Sequence, residues 1–244
     1  MRRGGLATAA ALLLTTATST NAGSLTVGSG VSVDLGTAAL DLGCADLTVG
    51  GTLSAGTAGL NQVRDLTINP SGVLNGNSAT LEVTGDWDNT GTFNAGTSTV
   101  EMVDGCSLAS AVIAGNTTFA NLEMTTTSGF VYSFTSGSTQ TVTSALTLLG
   151  ALGNLLTIRS TVGGSEAFLD VASSSGDFVD VQDNNASAGN TIRLGPDSVK
   201  GPNTPGWEFL PDVPALTLLG LVALAAGLHL TGHRALRWRA RADA

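Results

Sequence analysis

Short runs in which apolar and polar residues alternate recur along most of the chain. Ser24-Leu-Thr-Val27, Asp46-Leu-Thr-Val49, Asp65-Leu-Thr-Ile68 and Thr80-Leu-Glu-Val83 each place two apolar side chains on one face, with a polar one between them. A period of two is the pattern of a strand with one buried face. Gly, Asn, Asp and Ser fill the intervals, and these are the residues that tight turns require. Helical spacing is not sustained before residue 213.

The runs also repeat at a fixed distance. A glycine followed by an extended step opens GVSVDLG at Gly30, GTLSAG at Gly51, GVLNG at Gly72 and GTFNAG at Gly91, spacings of 21, 21 and 19 residues. Looser equivalents at Gly115 (GNTTF) and Gly137 (GSTQTV) continue the series by 24 and 22. A period near 20 is that of stacked coils, none of which buries its apolar face alone. The expected fold is all-β, a right-handed parallel β-helix, with Leu, Val, Ile and Phe in axial ladders. Leu66, Ile68, Leu81 and Val83 should share that core. The rival is an antiparallel sandwich, which also shows short strands and turn signals but needs no repeat of this length.

The two ends read differently. Met1-Arg-Arg3, the apolar run Leu6–Leu14 and the small residues up to Ala22 have the layout of a secretory signal peptide, the substrate of a Sec-type export machinery. Val213 to Gly232 is uncharged, and its only polar side chains are Thr217, His229 and Thr231. As a helix it would span roughly 30 Å, the thickness of a bilayer's hydrocarbon core. Arg234, Arg237, Arg239 and Arg241 follow, with Trp238 among them, and such a basic cluster stays on the cytoplasmic side. The expected organisation is a signal peptide over 1–22, a β-helical passenger over 23–210 and a membrane-directed segment over 211–244, with the passenger outside the cytoplasm.

That partition changes the meaning of the net charge of −9. Six of the ten basic residues lie in the terminal segments, so residues 23–212 carry Arg64, Arg159, Arg193 and Lys200 against 18 carboxylates, or 4 − 18 = −14. A surface of that sign repels nucleic acid. Both histidines, His229 and His233, lie in the tail, which leaves the passenger no imidazole for base or zinc chemistry. Phosphate-cradling loops and Cys-x-x-Cys spacings do not occur.

Carboxylates remain as candidate chemistry. Asp86 with Asp88, and Asp177 with Asp180 and Asp183, have the residue types needed for glycoside cleavage, although turns use the same residues. Asp180, Asp183, Asn184 and Asn185 form a candidate Ca²⁺ set of oxygen ligands. Trp87 and Phe93 suit either sugar stacking or core packing. Cys44 and Cys106 stand 62 residues apart, about three coils. At roughly 4.8 Å per coil that is about 14 Å of axial rise, beyond the roughly 7 Å that a disulfide bridges, so two free thiols are expected.

Two stretches resemble known bacterial families. Gly85-Asp-Trp-Asp-Asn-Thr-Gly-Thr-Phe-Asn-Ala-Gly-Thr-Ser-Thr-Val-Glu-Met102 resembles a segment of repetitive bacterial surface proteins. Thr117-Thr-Phe-Ala-Asn-Leu122, Ala145-Leu-Thr-Leu148, and Asn190-Thr-Ile-Arg193 with Gly206-Trp-Glu-Phe209 resemble the parts that follow it. Over roughly residues 80–210 this similarity implies a β-solenoid surface module without an assigned activity. Val213-Pro-Ala-Leu216 is similar to the motif of C-terminal sorting signals of the IPTL-CTERM and PEP-CTERM type. It differs from Ile-Pro-Thr-Leu at the first and third positions and lacks Pro-Glu-Pro. The resemblance implies a membrane-embedded sorting transpeptidase as partner and delivery to the cell surface or extracellular matrix. The expected function is therefore a non-enzymatic structural or adhesive surface protein. The alternative is a polysaccharide-binding or polysaccharide-cleaving β-helix protein that uses the acidic turns.

Overall fold

The computed structural model describes residues 23–211. The expected signal peptide, the motif Val213–Leu216, the apolar segment and the arginine cluster lie outside the described residues.

Repetition of the alternating runs builds a parallel β-solenoid of about eight turns. Its first face stacks nine strands: Ser24–Val27, Asp46–Val49, Leu66–Ile68, Trp87–Asn89, Ser110–Ala114, Val131–Phe134, Leu156–Ser160, Val179–Val181 and Val199–Lys200. A second face, of four strands, runs from Ser32–Asp34 through Thr52–Ser54 and Val73–Asn75 to Thr92–Asn94. The third face begins at Ala39–Asp41 and continues through Gly59–Val63, Thr80–Val83 and Thr99–Met102 into the long strands Thr117–Thr125 and Thr139–Leu149. Successive coils pair in parallel on all three faces. An antiparallel sandwich is thereby excluded.

The register turns the sequence repeat into axial ladders. On the first face Leu25, Leu47, Leu66, Trp87, Ile113 and Phe134 stand directly above one another. On the third, Leu60, Leu81, Val100, Leu122 and Leu146 do the same, beside a second row of Val63, Val83, Met102, Met124 and Leu148. Leu66, Ile68, Leu81 and Val83 are all fully buried, so the strand phase read from alternation holds. Each such side chain contributes about 1.5–3 kcal/mol by leaving water. Past Asn94 the second face ends, and the long strand Thr117–Thr125 bends at a register break between Phe119 and Asn121. Trp87, Phe93 and Phe119 fill the interior there, with ring centroids 5.1–5.9 Å apart. Trp87 and Phe93 are thus core residues, closed to sugar stacking.

The expectation of two free thiols is overturned. Cys44 and Cys106 form a disulfide, with their Cα atoms 5.5 Å apart. The coil count was right, since the third-face strands Ala39–Asp41 and Thr99–Met102 are separated by three steps of the stack. What the estimate of axial rise omitted is that corners differ in length. Between the third and first faces the successive corners are 42–45, 64–65, 84–86 and 103–109. They hold four, two, three and seven residues, so the last is distinctly the longest. Cys44 adopts a left-handed conformation (φ 70°), and its N–H donates upward to the Gln62 carbonyl of the next coil. Cys106 and Ser107 are also left-handed, at φ 48° and 60°. The corner 103–109 folds back along the stack so that Gly105 lies on Thr84 and Leu108 on Gly85. The seven-residue corner thereby reaches the corner 42–45 across the two between them.

A Leu81→Asp substitution puts an unpaired charge in the axial ladder and should abolish cooperative thermal unfolding. Leu81→Ala should retain the fold at a cost of about 2–5 kcal/mol. Unchanged melting of both variants, followed by circular dichroism, would contradict the ladder assignment.

Candidate functional site

Turn and strand geometry decide what the candidate carboxylates are free to do. Asp86 sits where the short corner 84–86 enters the first face, and its Oδ1 accepts the Val112 N–H at 2.7 Å, bracing the coil above. Asp88 lies outward on the strand Trp87–Asn89, half-exposed, in register with Thr67 and Ala114. Asp177 accepts the N–H groups of Phe178 at 2.8 Å and Asp197 at 3.2 Å. Asp180 is paired with Arg159, whose Nη2 lies 2.5 Å from Oδ2. Asp86, Asp177 and Asp180 thus serve as braces between neighbouring coils, while the Asp88 carboxylate makes no such contact.

The candidate Ca²⁺ set is not brought together either. Asp183 is buried and accepts from the Gly164 N–H at 2.9 Å, Asn203 Nδ2 at 2.6 Å and Gln182 Nε2 at 3.0 Å. Those bonds, the Gly164 N–H foremost, hold its carboxyl below the usual carboxylate range. Asn184 points inward and is fully buried, with neither side-chain atom hydrogen-bonded. Asn185, the next residue, donates to Glu166 Oε2 at 2.9 Å and accepts from Ser187. Alternation sends Asn184 and Asn185 to opposite sides of their two-residue strand, while Asp183, left-handed at φ 53°, precedes it and is committed to Gly164, Gln182 and Asn203, which divides the set. Among the described residues, no group of three or more His, Cys, Asp and Glu is placed to hold a metal ion.

The passenger's four basic side chains are engaged as well. Arg64 Nε lies 2.7 Å from Asp46 and 3.2 Å from Asp65, Arg159 holds Asp180, and Arg193 pairs with Glu208 at 2.8 Å. Lys200 donates to the Trp207 carbonyl at 3.3 Å and lies over the Phe209 ring. Each ion pair is at least a quarter exposed and contributes about 0–1 kcal/mol, so its value lies in register.

Two acidic features escaped the reading of the sequence. Glu82, Glu101 and Glu123 are stacked in register on the outside of the third face. Burial, then the charges of Glu123 and Glu82, push the Glu101 carboxyl above its ordinary value. The signal was present, because Thr80-Leu-Glu82 and Thr99-Val-Glu101 repeat one outward pattern at the coil spacing. The second is Asp104, in the long corner. Its Oδ2 accepts from Thr126 Oγ1 at 3.0 Å, the Thr127 N–H at 2.8 Å, and the Ser128 N–H and Oγ at 2.9 Å each. Burial pushes this carboxyl upward, but the hydrogen bonds outweigh it and hold it below the usual range. Its Oδ1 and the buried Tyr132 hydroxyl have no hydrogen-bond partner. Burial and the nearby Asp104 charge push the Tyr132 hydroxyl far up. An open depression of about 160 Å³ adjoins Asp104, lined by Val103 and Thr125–Thr127. Asp104 is a corner brace whose donors favour its charged form, the opposite of what a general base near neutral pH requires.

The geometry defines a parallel β-solenoid whose described polar groups mostly brace coil to coil. Family models, curated proteins and solved structures offer no match to the chain.

The two acidic features give opposite pH dependences. Glu101 has a raised folded pKa, so the folded state binds the extra proton and stability falls as pH rises through that value. Glu101→Gln should raise Tm at pH 7, and the gain should shrink as pH is lowered through the carboxylate range. Asp104 has a depressed folded pKa, so its contribution is present above the unfolded value of roughly 3.9 and is lost as pH falls through the folded one. Asp104→Asn should lower Tm at pH 7 and converge on wild type in acid. Melting curves from pH 2 to 8 check both, and parallel curves for either variant would refute its assignment.

Proposed function

We propose that this chain is an exported, non-enzymatic surface protein whose passenger acts as a rigid structural or adhesive module. The observation that carries the reading is the commitment of the passenger's candidate chemistry to the fold. Its arginines are paired, its turn carboxylates accept backbone N–H groups, and Trp87 and Phe93 are buried. A disulfide fits an oxidising compartment outside the cytoplasm and is consistent with export, for which we propose a Sec-type route from the layout of residues 1–22. We read the coils as right-handed, the hand that parallel crossover connections overwhelmingly take.

In this reading residues 1–22 direct export. The segment 211–244 anchors the chain in the inner membrane and presents Val213, Pro214, Ala215 and Leu216 to a sorting transpeptidase. Arg234, Arg237, Arg239 and Arg241 hold the tail on the cytoplasmic side. The passenger then reaches the cell surface or extracellular matrix, where polysaccharide is its expected neighbour. Cleavage of polysaccharide has less support, because Asp86, Asp177 and Asp180 are held as braces.

Replacing the four tail arginines by serine should impair retention and processing in a bacterial host with the cognate sorting machinery. Cell fractionation and mass spectrometry of the mature C-terminus read the outcome. Unchanged location and an unchanged terminus would refute the sorting role.

A further inference from the structure

A solenoid is weakest at its ends, because a terminal coil has only one neighbour to bury its apolar face. The first described coil shows this. Leu25, Val33 and Leu40 are only partly buried, whereas Leu47, Leu53 and Leu60, their register partners one coil on, are 0–1% exposed. Cys44 lies in the corner that joins this coil to the next, and its disulfide partner lies in corner 103–109. That corner is itself fastened at several points. Gly105 and Leu108 lie on Thr84 and Gly85, while Asp104 collects the hydroxyl and N–H groups of Thr126, Thr127 and Ser128 in the following corner.

From these contacts we infer that the segment 103–109 is a redox-set latch that holds the weak N-terminal coil onto the body of the solenoid. Its fixed foot is Asp104 on corner 126–130, and its gripping end is the Cys106–Cys44 bond. With the bond closed, the C-terminal end of the coil 24–41 is pinned at Cys44 to a corner anchored three and four coils away, which leaves the coil to open only from its N-terminal side. Both cysteines are partly exposed, so a small thiol reaches them. A dithiol reductant opens the latch: the disulfide takes up two electrons and two protons to give two thiols, and the reductant closes to its own cyclic disulfide. Among the described residues the first coil then has one non-covalent interface, with the coil after it, while coils beyond the latch keep both of theirs. This device stands independently of the proposed surface role, since it depends only on contacts within the passenger.

Hydrogen exchange with mass spectrometry on the full chain in detergent micelles tests the proposal. It compares the oxidised protein, the same folded sample treated with dithiothreitol, and the Cys44→Ser/Cys106→Ser double variant. Opening the bond should speed exchange in residues 24–49 by about tenfold or more, while residues 131–209 keep their protection. With the bond intact, Asp104→Asn should loosen corners 103–109 and 126–130 together. Uniform loss of protection on reduction would show that the bond supports the whole fold, and unchanged exchange at 24–49 would show that it holds nothing. Either result overturns the latch. If the double variant does not fold, reduction of the folded wild-type chain decides the matter alone.

Discussion

Every coil must place its apolar residues directly over those of the coil before it. Parallel hydrogen-bonded ladders impose that constraint, because a slip of one residue would turn the whole inward row outward. Leu60, Leu81, Val100, Leu122 and Leu146 are in contact because the backbone ladder fixes their register, and the ladder persists because those side chains leave water together. Neither half is stable alone. Propensity at any one strand is weak, as the shortest have two or three residues. Their stability comes from repetition.

The same constraint governs the polar groups. A position that faces outward in one coil faces outward in the next, so identical side chains are brought within one strand spacing whether or not that is favourable. Asn94 donates to Asn75 at 2.8 Å, a favourable case. Glu82, Glu101 and Glu123 are the unfavourable one, on a face that leaves each of them partly exposed. Opposite charges use the same spacing, as Asp46 with Arg64 and Arg159 with Asp180 show, 18 and 21 residues apart. The polar surface is in this sense a by-product of the core, and it braces the stack more than it forms a site.

Corners are where the repeat is broken and where individuality enters. A strand is held to its register, but a corner lengthens at small cost, since loop entropy grows only slowly with length. The corner 103–109 uses that freedom to reach the corner 42–45, to sit on 84–86 and to receive the donors of 126–128. The least repetitive segment of the passenger therefore carries its covalent bond, its most heavily hydrogen-bonded carboxylate and the neighbouring depression.

Alternation and spacing in the sequence by themselves determined the strand phase, the parallel coil stack and the burial of Leu66, Ile68, Leu81 and Val83. These are local or periodic properties, and a repeat of about 21 residues writes them several times over. The stack of Glu82 and Glu101 was legible by the same rule. Only the tertiary structure decided the Cys44–Cys106 pairing, the separation of Asp183, Asn184 and Asn185, and the brace at Asp104. Each depends on the path of a corner or on which side of the wall a side chain falls. The physical reason is that register propagates from coil to coil, so one strand predicts the next. A corner is set by its own backbone conformation and by whatever lies beneath it, and neighbouring repeats carry no copy of either.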